Sequence, residues 1–81
     1  MRVIILADRN PGVLEDVKRV FDQAGLAPRL FECRDWSASD WQVHVEVPLP
    51  PPQRLDHLLR AVEAVKGAAV MAAAEVDAKG P

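Results

Sequence analysis

The chain has 81 residues, 49% hydrophobic and 27% charged, with a formal net charge of −2. That length makes one domain, which on folding buries only roughly 60 to 65% of the surface its unfolded chain exposes. The composition excludes intrinsic disorder, and ten scattered basic residues against twelve acidic ones leave no electrostatic footprint for nucleic acid or an anionic membrane.

No apolar run reaches the length of a membrane span, and the stretch from Met1 to Ala7 is too short for a signal peptide, with Asp8 at its end. The single cysteine, Cys33, has no partner for a disulfide or a CxxC site and fits a reducing compartment, so a cytoplasmic protein is expected. Cys33 itself is expected to be a small buried residue of a strand.

Val3 to Ala7 is a nearly continuous apolar run rich in β-branched residues, which predicts a strand covered on both faces. Asn10 is a good helix N-cap, and Pro11 suits the first helical position, where its missing N–H would be unpaired anyway. Glu15 and Asp16 suit the positive end of a helix. Val13, Leu14, Val17, Val20, Phe21 and Ala24 then form one stripe of a 3.6-residue period. Gly25 is the expected left-handed stop, with Leu26 packing back on the last turn.

Pro28 precedes a second strand running from about Arg29 to Asp35 or Trp36. Residues 36–40 read as a hairpin loop, after which Trp41, Val43, Val45 and Val47 alternate with Gln42, His44 and Glu46 in a half-buried third strand. Trp36 and Trp41 are expected to pack in the core or at its edge. Pro48, Pro50, Pro51 and Pro52 prescribe an extended connector; Pro48-Leu49-Pro50-Pro51 also matches a PxxP groove ligand, but a stiff link is the simpler reading.

Leu55, Leu58, Leu59, Val62 and Val65 mark a second amphipathic helix, which Gly67 is expected to stop. Ala68 to Val76 is expected to be a last strand, although its alanines also favour helix, and residues 77–81 a frayed tail. The order strand, helix, strand, strand, helix, strand predicts an α+β, ferredoxin-like βαββαβ sandwich over residues 1–76, an antiparallel four-stranded sheet with two helices on one face. The second sheet face has no helix, so the apolar first strand implies that a partner subunit or parent domain covers it.

Candidate chemistry is sparse. His44 and Glu46 share a strand face and Glu32 can neighbour them across the hairpin, the residue types of a weak metal or acid–base group. Charges paired across an exposed ladder have the same pattern, and that is the reading adopted. His57 is expected on a solvated helix face, and Ser37 and Ser39 sit in a turn without a glycine-framed nucleophile elbow. RNA-recognition modules share the element order but stack bases on open-face aromatics, where the third strand offers Gln42, His44 and Glu46. No catalytic residue, metal or cofactor, and no nucleic-acid or membrane partner, is therefore expected.

A strand ending in Val3-Ile4-Ile5-Leu6-Ala7-Asp8, the turn Pro11-Gly12-Val13-Leu14, Val17, and a helix closing in Phe21-x-x-Ala24-Gly25 resemble an ACT domain, a regulatory module found beside enzymes of amino-acid metabolism and in stringent-response nucleotide synthetase/hydrolases. The resemblance spans the chain to about Val76. It implies a non-catalytic, allosteric domain that dimerises or docks on a parent catalytic domain and binds an amino acid at the first strand-to-helix turn. Carried onto this sequence, that site is Asp8, Arg9, Asn10, Pro11, Gly12, Val13 and Leu14. Free N–H groups at a helix start suit a carboxylate, and Gly12 permits close approach. The departures are Arg9, where ACT turns carry an acid or amide, and Ala27, where a polar residue is common. A ligand-free assembly module is the alternative, with a small ferredoxin-like enzyme behind it.

Overall fold

Two tight junctions, one at each end of the first helix, set the course of the chain. The computed structural model describes residues 1–74. Their order is β1 (Arg2–Asp8), α1 (Pro11–Gln23), β2 (Leu30–Asp35), β3 (Asp40–Glu46), α2 (Pro52–Glu63) and β4 (Ala68–Ala74). The strands form one sheet in the order β2-β3-β1-β4, every neighbouring pair antiparallel. This is the ferredoxin-like βαββαβ arrangement expected from the element order.

At the first junction Asn10 has extended backbone angles and its side chain accepts the Gly12 N–H, with Pro11 at the start of α1. At the second, Gly25 takes φ 73°. The Leu26 N–H returns to the Phe21 carbonyl at 3.0 Å and the Gly25 N–H to Asp22 at 3.1 Å, the paired bonds of a Schellman stop. The stripe between them buries Val13, Val17 and Phe21.

Alternation along the strands sorts side chains between two faces. Val3, Ile5 and Ala7 of β1 and Val43, Val45 and Val47 of and just beyond β3 point to the helices, where they join Val13, Val17, Phe21, Leu58 and Val62 in one core. Burying each of these larger side chains contributes roughly 1.5 to 3 kcal/mol. The same alternation turns Arg2, Ile4 and Leu6 to the bare face. β1 pairs with β4 from Ala7↔Ala68 to Arg2↔Ala74, with a register shift between Ile4 and Ile5 that leaves Met71 as the extra residue.

Several expectations shift. Pro52 opens α2, so the stiff connector ends at Pro51, and the helix stops at Glu63 rather than at Gly67. The intervening turn is held by Val65 N–H to Val62 O at 3.0 Å and Ala68 N–H to Val65 O at 3.1 Å, and it carries Val65 onto the core. Cys33 is exposed rather than buried, because β2 is an edge strand whose burial fades from Leu30 towards Asp35. Trp36 lies beyond that fading end and is 54% exposed, instead of packing in the core or at its edge. Glu75 and Val76, expected to complete β4, and the expected tail at 77–81 lie outside the described residues. Among the described residues no helix is long and apolar enough to cross a membrane.

Candidate functional site

The β1–α1 turn brings Asp8, Arg9, Asn10, Pro11 and Gly12 together at the surface, with Val13 buried and Leu14 half-buried beneath them. Its donors are engaged within the fold. The Gly12 N–H is bound by Asn10 Oδ1 at 2.9 Å, and the Val13 N–H by the Asn10 carbonyl at 2.9 Å. Pro11 has no N–H to give. The close approach that Gly12 permits is used by the Asn10 side chain, whose Oδ1 would stand 3.3 Å from a Cβ there.

The turn also docks on both neighbouring connections. The Asp8 N–H donates to Gly67 O at 2.8 Å and the Arg9 N–H to Ser39 O at 3.2 Å. The Arg9 guanidinium donates to Ser37 O at 2.9 Å and to Asp35 Oδ1 at 3.0 Å, and lies 5.8 Å from the centre of the half-buried Trp41 ring. The predicted site residues thus form a three-way clasp between β1, the β2–β3 hairpin and the start of β4.

The bare sheet face has two halves. On the β1 and β4 side, Ile4 and Leu6 oppose Ala72 and Ala69, and Met71 sits between them at the bulge. Met71 is 43% exposed. On the β2 and β3 side, cross-strand pairing sets Glu32 opposite His44, Arg34 opposite Gln42, and Leu30 opposite Glu46, while Arg2 of β1 also opposes Glu46. Gln42 Nε2 links the halves with a weak bond to Met71 Sδ at 3.9 Å.

The acidic and imidazole groups on that face are each engaged. Glu32 accepts from Arg34 Nε at 2.6 Å and Glu46 from Arg2 Nη2 at 2.9 Å. Those bonds, with the guanidinium charges beside them, hold both carboxyls below the usual carboxylate range. His44 is not the exposed ladder residue that alternation implied: it is 6% exposed, covered by its long neighbours. Burial, and then the Arg34 and Arg2 charges, push its imidazole pKa down. Its Nε2 meets Gln42 Oε1 at 2.7 Å, and its Nδ1 has no hydrogen-bond partner among the described residues, as is also true of Arg2 Nε. His44 with Glu32 and Glu46 therefore forms a layer of paired charges over a buried ring. Among the described residues no three His, Cys, Asp or Glu side chains are grouped to hold a metal ion.

Comparison of the chain with protein-family models and with curated proteins finds no match. The feature that residue-by-residue reading missed is the division of the bare face into an apolar and a charged half. Its signal is faint: Ile4 and Leu6 show the apolar half and alternation adds Ala69 and Met71, but Ala72 joins them only because the bulge resets the alternation after Met71.

Proposed function

We propose that the chain is a non-catalytic, regulatory ACT-like module that works by self-association through its bare sheet face. The observation that carries this reading is the contiguous apolar strip of Ile4, Leu6, Ala69, Met71 and Ala72, which neither helix covers. The charged half beside it carries Arg2 and Arg34 against Glu32 and Glu46, a balanced set suited to meeting a second copy about a twofold axis. In this reading no amino acid is needed at the β1–α1 turn, whose first N–H groups are already bonded.

The size of the face sets the strength. Four strands about 4.8 Å apart and six residues deep give a footprint on the order of 400 Å², below the ~800 Å² per partner of a standard stable interface. Weak, reversible pairing with a Kd of about 10 to 100 μM is the expectation, the range in which a coupled event worth about 1 to 3 kcal/mol would shift the population.

Sedimentation equilibrium tests it. The wild-type chain is expected to pass from monomer to dimer across that range, and Leu6→Arg to stay monomeric with an unchanged circular dichroism spectrum. A wild-type chain that remains monomeric at roughly 1 mM, far above the expected Kd, defeats the proposal.

A further inference from the structure

The opposite side of the molecule carries a second feature, independent of sheet-face pairing. Where the C-terminal half of α1 passes the N-terminal half of α2, a groove of about 370 Å³ lies over Val20, Leu26 and Leu58. It exists because Ala24 and Ala61 stand on its walls, where larger side chains would close the gap between the helices. Arg54 and His57 stand at its rim, and no acidic side chain lines it.

Arg2, Arg9, Arg19, Arg34 and Arg60 each hold a carboxylate, whereas Arg54, like Arg29, has no ion-pair partner among the described residues, and of these two it is Arg54 that lines the groove. The neighbouring start of α2 is also uncapped by any side chain, in contrast to α1, so its first free N–H groups add partial positive charge at that end. An apolar floor under a one-sided cationic rim is complementary to a molecule with an apolar body and one negative end.

We propose that this groove binds a small apolar monocarboxylate. The volume sets the size of the ligand, at the small end of the roughly 300 to 1,000 Å³ of small-molecule sites. At about 30 Å³ each, the volume share of a water, the groove holds roughly a dozen non-hydrogen atoms, the size of a ten-carbon fatty acid. For such a ligand in an open groove the Kd is about 0.1 to 1 mM.

The test is an NMR titration of the full chain with sodium decanoate below its micelle concentration, beside decyltrimethylammonium, which has the same tail and opposite charge, and acetate, which has the charge and no tail. Decanoate alone is expected to give saturable shifts centred on Val20, Leu26, Arg54 and Leu58. Arg54→Gln, at an exposed position, is expected to weaken binding roughly fivefold, the upper end for an exposed charge. Ala61→Phe fills the groove from an exposed position and is expected to abolish the shifts without altering the fold. Equal binding of the cationic amphiphile, unchanged binding by Ala61→Phe, shifts centred instead on Ile4, Leu6 and Met71, or no saturable shift overturns the proposal.

Discussion

Asp8 and Gly67 are in contact twice over: the Asp8 N–H donates to the Gly67 carbonyl at 2.8 Å, and a Cβ built on Gly67 would stand 2.7 Å from Asp8 Oδ2. Gly67 also has φ 90°, where side chains are strained. The last residue of β1 and the residue before β4 are thereby fastened side by side, which closes one end of the β1–β4 pairing.

Gly67→Ala is therefore expected to destabilise the fold by about 1 to 3 kcal/mol, chiefly through left-handed strain. Crowding against buried Val13, whose Cγ2 would stand 3.2 Å from the new Cβ, adds to it, while the exposed Asp8 carboxylate can turn aside. Urea unfolding followed by circular dichroism measures it. Gly25→Ala is the control: Gly25 also has positive φ, but a Cβ there meets nothing within 4 Å, so its loss is expected to be smaller. Equal losses at the two sites would mean that crowding against Val13 and Asp8 adds nothing.

The start of α1 depends on one side chain. Asn10 Oδ1 is the acceptor for the Gly12 N–H, and removing a cap of this kind costs about 1 kcal/mol. Asn10→Ala should lower stability by that amount in the same assay, while Asn10→Asp, which keeps the acceptor and adds a charge favourable at a helix start, should retain it. Stability unchanged in Asn10→Ala would show the bond to be without net effect.

Much of this fold is legible in the sequence, for reasons that differ by element. Asn10-Pro11 and Gly25 carry their backbone requirements in their covalent structure, and the Val13 to Ala24 stripe is long enough to be unambiguous, so α1 is read almost to the residue. The exposure of Cys33 and Trp36 is not legible, because local alternation says which face a residue takes but not where the helix layer ends. The burial of His44 on the bare face is not legible either, because its neighbours Ile4 and Glu32 come from two other strands and the Arg34 and Arg2 charges that act on it come from those same strands. Of the candidate turn, the residues Asp8 to Leu14 are recognisable locally, but their engagement with Gly67, Ser37 and Asp35 is made by distant segments and has no local signature.

Arg9 shows how modest such an engagement can be. It joins Ser37, Asp35 and the Trp41 ring, yet Asp35 is largely exposed, and solvent screening holds an exposed pair to under about 1 kcal/mol. Arg9→Ala should thus cost little global stability. It should instead speed amide exchange in the hairpin loop, where the Ser37 N–H bonds to Asp40 O, since local opening is governed by local contacts. A global loss of several kcal/mol, with no local change in exchange, would contradict this account.

The sharpest prediction concerns pH, because His44 is buried while its charged neighbours are engaged with one another. The groups facing it are Arg2, Glu32, Arg34 and Glu46, and the net effect of burial and the arginines is a folded-state pKa below the usual histidine value. The unfolded chain then binds the proton more readily than the folded one, so stability contributed by neutral His44 is present above the unfolded pKa of about 6.5 and is lost as pH falls through the folded value. Glu32 and Glu46, both with lowered pKa values, act in the same direction but at lower pH, as it falls below the usual carboxylate range. Urea unfolding between pH 7.5 and 5 should accordingly show declining wild-type stability, and His44→Gln, which stays neutral, should flatten that decline while exposed His57 remains in both proteins. A wild-type profile that is level over this interval, or a decline that survives His44→Gln unchanged, would remove His44 as the source.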